Sequence, residues 1–541
     1  MVNNIARLAG ISRAFASAHC RQVTAGSDRR RKPSGRRLGP RLLLGIATLW
    51  VTGLVLAAPL PATPLEQAHY QRISRAAEIS ADLDALAAAS PLARKEVVGE
   101  SVERRPIETL VLSTHQAGGR PRVLLVATQH GAAEPAGGEA MLSLARQLLQ
   151  GDLRPLLEDI DVVLLPDANP DGRDGGHRSN ARQVNLNTDF VLLSQPESQA
   201  LVAALERYQP LAVLDVHESA VLKRQTLARE GYLTDFDAQF ETANNPAIPA
   251  ALRDYGQQHL LPALLVAVRA AGLPAQRYIG EITSAGQPIT NGGLSLRNFR
   301  NLAGISGALA VLVETKLDSR DEHWPSYRNI EVRVARSLIC QRAFLRLVHA
   351  ERETLRGQSL RARAAVQSEP LALYAAYVED LEHPRVDIAL RRLDNHEIET
   401  LHFADHRRVA SADVIAMPVA YVLTHASDAL RAALERHGIE YASQSQGVEL
   451  TVVAERYGPL PAADGRVALL ASTTRFITTA ADTLIIDVAQ SHGRLVPLLL
   501  DPRSTSSLFR LPEFASELVP EREFGVYRVH TGVTRAAPTG E

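Results

Sequence analysis

Between residues 123 and 216 short apolar runs of strand length alternate with longer runs of helical spacing, and few folds accommodate that alternation. Residues 123–128, 162–166 and 212–216 are rich in Val and Leu, while residues 138–149 and 197–208 between them repeat apolar positions every three to four residues. Strands alternating with helices of this length build an α/β sheet with crossover helices. Further on, residues 251–271 carry an amphipathic helical pattern, residues 309–313 form another buried strand pattern, and residues 329–356 form a long closing helix pattern. After residue 367 the texture changes to runs such as 419–423, 448–453, 483–488 and 495–500, separated by Pro and Gly. That change predicts a strand-rich domain at 385–541, joined by a linker at 361–384 to a catalytic unit at 100–360, with a helical segment at 63–99 before it.

At 541 residues the chain has room for two folded units and a targeting segment. Its charge is unevenly placed. Residues 1–62 hold ten Arg or Lys and a single acid, Asp28, so without them the formal net charge goes from −1 to −10. An acidic remainder argues against nucleic-acid binding. The basic stretch 29–41 runs into an uncharged apolar stretch, 42–58, followed by small residues around Ala57, Ala58 and Ala62. Basic region, apolar region and small-residue exit are the order of a signal peptide, which predicts a periplasmic or secreted protein with no membrane insertion after cleavage; a retained membrane anchor is the competing reading. Of the two cysteines, Cys20 lies in the leader, which leaves Cys340 alone and excludes an internal disulfide once the leader is removed.

The chemistry gathers at strand ends. The run 123–128 leads into Gln129-His130-Gly131-Ala132-Ala133-Glu134-Pro135, and the run 211–216 ends in Asp215-Val216-His217-Glu218. Open α/β sheets bind ligands beyond the carboxyl ends of their strands. Two histidines and a carboxylate there would leave the fourth position of a zinc ion open for water, as catalytic zinc requires, and Asp215 is placed to orient a ligand. Between the histidines lie Asn169-Pro170-Asp171-Gly172-Arg173, then Arg178-Ser179-Asn180, then Val184-Asn185-Leu186-Asn187-Thr188; after them comes Leu312-Val313-Glu314-Thr315.

In this order the blocks resemble the zinc carboxypeptidases, the carboxypeptidase A-like metallopeptidases, over roughly residues 100–355, with this chain a divergent exported bacterial member. The resemblance implies a mixed twisted sheet flanked by helices. It also implies zinc on His130, Glu134 and His217, an oxyanion-stabilising guanidinium at Arg178, a substrate-carboxylate contact at Asn187, and a general base at Glu314. The activity it implies is removal of C-terminal residues from peptides.

Three departures bear on that expectation. His130 and Glu134 are separated by three residues where the family has two, so one extra residue must be absorbed in the turn, and Glu139 is the rival carboxylate. Thr188 stands where the family has an Arg that grips the substrate carboxylate; Arg297, in Ser295-Leu296-Arg297-Asn298, is the replacement candidate. No Tyr stands shortly before Glu314, the nearest upstream being Tyr278. These departures keep two alternatives open: a zinc amidase or deacylase acting on N-acyl amino acids or cell-wall peptides, and a non-catalytic exported binding protein. A serine hydrolase is disfavoured, because no Gly-x-Ser-x-Gly occurs.

Overall fold

Strands that are apolar on both faces can be stable only between two layers of helix, and the centre of this protein is built from such strands. The computed structural model describes residues 59–114, 119–220, 227–234, 236–280, 282–317, 329–365, 368–461 and 465–530. The leader expected at 1–62 lies outside these up to residue 58. Nine strands run through the first part of the chain: β1 (Ala93–Glu100), β2 (Pro106–Leu112), β3 (Arg122–Ala127), β4 (Asp161–Leu165), β5 (Ala212–Ala220), β6 (Tyr232–Thr234), β7 (Ala238–Thr242), β8 (Ala275–Arg277) and β9 (Leu309–Leu317). All but β6 form one mixed sheet in the order β1-β2-β4-β3-β5-β9-β7-β8. Its central strands β4, β3, β5 and β9 are parallel, and antiparallel pairs flank them.

Helices Ala136–Gln150 and Ile330–Ala350 cover one side of the sheet and touch each other, Gln341 Nε2 donating to the carbonyl of Gly137 (2.9 Å). Gly138 allows this helix to start hard against the sheet, since a β-carbon there would lie 2.1 Å from the carbonyl oxygen of Pro166. Pro196–Tyr208 supplies the crossover between β4 and β5. The run 251–271 forms two helices, Ala250–Tyr255 and Leu261–Ala270, joined by a single wide turn at Gly256–Leu260.

The C-terminal part contains the expected strands, arranged in three small sheets. Strand β10 (Leu371–Val378) pairs with β13 (Arg408–Ile415). Strands β11 (Arg385–Arg392) and β12 (Ile398–Ala404) form a hairpin whose free edge is taken by β6 from the catalytic part. The third sheet has six strands: β14 (Ala420–Leu423), β15 (Ala442–Ser443), β16 (Glu449–Tyr457), β17 (Leu469–Thr478), β18 (Leu484–Asp487) and β19 (Val526–Val529). Residues 495–500 differ from the expectation: they form the helix Leu495–Leu500, all six side chains buried. A continuous apolar run carries no periodicity to separate helix from strand.

An amphipathic helix, Asp428–Arg436, fixes the six-stranded sheet to the catalytic part through its buried Leu430, Ala433 and Leu434. Beyond its end, His437 donates from Nε2 to the carbonyl of Val191 (2.8 Å), and Arg436 donates to the carbonyl of Leu192 (3.1 Å). Burial disfavours the imidazolium and pushes the pKa of His437 down to about 4. The unfolded chain therefore takes up a proton on this residue, between about pH 6.5 and pH 4, that the folded chain refuses, so stability falls as the pH drops through that window. Such a displacement corresponds to about 3 kcal/mol. Urea unfolding at pH 7 and pH 4 is expected to show a smaller acid-induced loss for His437→Gln than for wild type, by roughly that amount; equal losses would remove this residue as the cause.

Candidate metal and catalytic site

The site begins where β3 stops. The chain leaves the strand through Thr128, whose φ of 64° is left-handed and costly for a β-branched residue. Thr128 is held there by its own hydroxyl, which donates to the carbonyl of Pro166 (2.9 Å), and by Arg173, whose Nη2 donates to the same hydroxyl (3.1 Å). His130 follows, then a 3-10 turn at Gly131–Ala133, then Glu134. The turn absorbs the three intervening residues: the amide of Ala133 donates to the carbonyl of His130 (3.0 Å), and that of Ala132 to the carbonyl of His177 (3.2 Å). Gly131 has φ of 50°, and a β-carbon on it would lie 2.5 Å from the carbonyl oxygen of His177. No other residue fits.

His217 reaches the same point from β5. One ligand atom each from His130, Glu134 and His217 lie within 4.8 Å of one another, and all three residues are buried. Nδ1 of His217 is 3.0 Å from Oε2 of Glu134, while its Nε2 is 3.0 Å from Oδ1 of Asp215, which Gln129 also contacts (2.6 Å). Nδ1 of His130 is buried with no hydrogen-bond partner among the described residues. An orphaned imidazole nitrogen beside a second imidazole and a carboxylate is the donor set of a transition-metal site, and Asp215 orients His217 from behind. Burial pushes the pKa of His130 down to about 3, which keeps its ring neutral and able to ligate. Burial alone would raise Glu134, but His130, Arg178 and His217 together hold its carboxyl below the usual range.

Comparison with known proteins agrees with this geometry. Residues 79–222 match the zinc carboxypeptidase family. That segment, with His130, Glu134 and His217 inside it, is similar in sequence to the zinc carboxypeptidases. Carboxypeptidase 2 of Trichophyton tonsurans is 29% identical over 208 residues, which are 38% of this chain and 38% of that protein. Carboxypeptidase D of Mus musculus is 33% identical over 190 residues, 26% of this chain and 14% of that one. This chain thus spans under two fifths of the length of the curated relatives it matches. Among solved structures it is similar to carboxypeptidase A from Helicoverpa armigera, with 18% identity, a TM-score of 0.40, and coverage of 52% of this chain and 75% of that one.

Beside the His130, Glu134 and His217 group lies a cavity of about 630 Å³ that contains Glu134, Arg178 and Glu314 in its wall. Glu314 stands on β9 directly beside His217 on β5, and beside Gln239 on β7. Burial pushes its carboxyl up to about 7; Glu134 and Asp215 add to this, and His217 and Arg178 oppose it. The exposed Arg178 donates from Nη1 to Oε1 of Glu134, so its guanidinium lies at the metal group.

Asn187 and Arg297, like His130 and His217, are not among the residues that line the cavity. Asn187 accepts from the amide of Phe299 (3.4 Å), and Arg297 gives its backbone carbonyl to the amide of Phe190. Both sit at the start of the helix Phe299–Ile305, whose cap is Asn298, so capping that helix sets where they lie. Among the described residues of the cavity wall, Arg178 is the only Arg or Lys. Glu139, the rival carboxylate, is also elsewhere: fully buried, it accepts from Ser74 (2.9 and 2.8 Å) and from Arg173 Nη1 (3.1 Å).

Several members of the wall were not singled out from the sequence, namely His177, Tyr232, Phe236 and Gln239, while Tyr278 was noted without a role. Other motif residues build the scaffold. Asn169 caps the helix Pro170–Gly175 and donates to the carbonyl of Gln129 (3.1 Å). Asn180 donates to Gln195 (2.9 Å) and to Glu197 (3.0 Å). Asp171 accepts from Ser101 Oγ (2.6 Å) and Arg105 Nη1 (2.6 Å).

Removing one partner of a buried ion pair costs about 3–5 kcal/mol because the other charge stays buried. Glu139→Gln is therefore expected to lower unfolding free energy by about that much while the protein retains its metal-binding capacity, measured by urea unfolding alongside zinc titration. Loss of zinc binding at unchanged stability would place Glu139 in the metal group.

Proposed function

We propose that the protein is a zinc-dependent carboxypeptidase that removes C-terminal residues from peptides. The observation that carries this reading is the buried His130, Glu134 and His217 group with Glu314 one strand away in register, Glu134 and Glu314 lining the same cavity. The ring nitrogens of the two histidines and the carboxylate of Glu134 would hold the ion. Bound there, zinc supplies Lewis acidity, polarising a carbonyl and making water acidic enough to lose a proton near neutral pH.

Glu314 is the general base in this reading. Its carboxyl takes a proton from water and returns it to the leaving amine. Arg178 supplies its guanidinium to the carbonyl oxygen as it becomes negative. The rest of the wall includes Leu227, Phe236, Ile279, Ile282 and Leu317, which favours an apolar side chain at the cleaved residue. The reading includes export before action, which the basic and apolar leader in the sequence supports; no helix among the described residues is long and apolar enough to cross a membrane.

A second reading, a zinc amidase or deacylase of N-acyl amino acids, is favoured by one observation. A single cation in the described wall must serve both the oxyanion and any terminal carboxylate, since Arg297 and Asn187 lie elsewhere. Turnover separates the readings. Glu314→Gln is expected to keep zinc and lose about a hundred- to ten-thousand-fold in kcat, and a loss under about tenfold would assign the base elsewhere. Peptides with a free C-terminal carboxylate should be cleaved in preference to their amides. Equal cleavage of both, or cleavage of acyl amino acids alone, supports the amidase reading, and full zinc content without turnover supports a binding protein.

A further inference from the structure

One part of the cavity wall is carried by a strand that lies outside the main sheet. Strand β6, which carries Tyr232, Leu233 and Thr234 of that wall, has no partner within the main sheet; it pairs with β11 of the C-terminal hairpin through Tyr232 with Arg392, Leu233 with Arg391, and Thr234 with Leu390. The pairing continues past one end, the amide of Leu393 donating to the carbonyl of Gly231 (2.8 Å), and the end of β12 is tied separately to the catalytic part, the amide of Ile289 donating to the carbonyl of Ala404 (2.9 Å). Behind the wall, Ile388, Leu390 and Phe403 of the hairpin share a buried apolar cluster with Leu227, Phe236 and Ile279 of the cavity. This cluster is separate from the main core, so the position of the wall is set by the hairpin.

One polar contact fixes a wall side chain individually. The hydroxyl of Tyr232 donates to Oε2 of Glu399 on β12 (3.1 Å). Arg392 on β11 pairs with the same carboxylate (3.2 Å), and its guanidinium carbon lies 5.9 Å from the centre of the Tyr232 ring. The ring is thereby held by an acid at its tip and a cation at its side, both supplied by the C-terminal hairpin.

We infer that the hairpin Arg385–Ala404 is a specificity element of the catalytic cavity, in which Glu399 and Arg392 position Tyr232 to contact the substrate. The inference rests on the carboxypeptidase reading for the nature of the substrate, a short peptide ending in an apolar residue. A cavity of about 630 Å³ lies in the range that holds small ligands, so the wall meets residues close to the cleaved bond. Tyr232 is the contact; Glu399 and Arg392 act through it.

The experiment measures both kcat and KM for a tripeptide ending in phenylalanine, together with calorimetric binding of the same peptide to the zinc-loaded Glu314→Gln protein, which needs no turnover. Tyr232→Phe and Glu399→Ala are each expected to raise KM and weaken binding about three- to tenfold, the size of one lost hydrogen bond, with kcat within about twofold. Glu399→Gln, which keeps an acceptor, should restore most of the affinity. The double variant should be no worse than the worse single one, because both changes remove the same contact. Arg392→Met should weaken binding in the same direction without altering zinc content.

Additive effects, unchanged affinity in all variants, or losses confined to kcat would overturn the inference and leave the carboxypeptidase reading intact. Peptide binding that shows the expected pattern without turnover by the wild type would overturn the carboxypeptidase reading and leave the wall assignment standing. No peptide binding at all would overturn both.

Discussion

The candidate site depends on the parallel register of three strands. Val126 of β3 pairs with Asp215 of β5, and His217 of β5 pairs with Glu314 of β9; β3 stops at Ala127, opposite Val216, so the turn that carries His130 and Glu134 starts beside His217. A slip of one residue in either pair would turn the side chains to the opposite face and separate the second imidazole from the carboxylate beside it. The register is specified by near-complete burial of Val123–Ala127, Ala212–Leu214 and Leu309–Val311, where neither face of the sheet tolerates a polar residue. Packing in the core thus places chemistry at the edge.

What extends past the strand ends is irregular backbone, and it is held by buried charge. Thr128 keeps its left-handed conformation because Arg173 and the carbonyl of Pro166 both fix its hydroxyl. Arg173 is in turn balanced by Glu139 and by Asp167, whose carboxyl burial pushes up to about 6. On the other side of the site Glu218 follows His217 and is clamped by Arg333 from the helix Ile330–Ala350 (2.7 and 2.9 Å). Such pairs add little net stability against an apolar replacement. Their contribution here is geometric: each fixes the backbone within a residue or two of a candidate ligand.

Much of this was legible in the sequence, for physical reasons that differ by residue. The strands around 123–128, 162–166 and 212–216 were evident because burial on both faces leaves an unbroken apolar run. His130, Glu134 and His217 stand out in the sequence only as part of an ordered set of blocks, since a single histidine at a strand end is more often a hydrogen-bonded structural residue; the structure brings the three together. The extra residue between His130 and Glu134 looked like an obstacle, yet a single 3-10 turn around Gly131 takes it up. Arg297 was expected at the cavity from its position before β9, but the cap at Asn298 fixes the turn elsewhere. The part of the wall carried by β6 was not legible. Tyr232 is placed by β11, more than 150 residues later, and β6 has three residues, too few for any periodicity. The helix Leu495–Leu500 was misread for the complementary reason, being apolar on every face.

The central claim is that the three buried side chains at the ends of β3 and β5 form a zinc site. X-ray absorption on the purified zinc-loaded protein, read together with zinc stoichiometry, tests it directly. The account predicts about one zinc per chain, bound by two imidazole nitrogens and carboxylate oxygen at roughly 2.0–2.2 Å, with His217→Ala losing the signal. Less than about 0.1 equivalent after zinc addition, or a full equivalent that persists in His217→Ala, would contradict it.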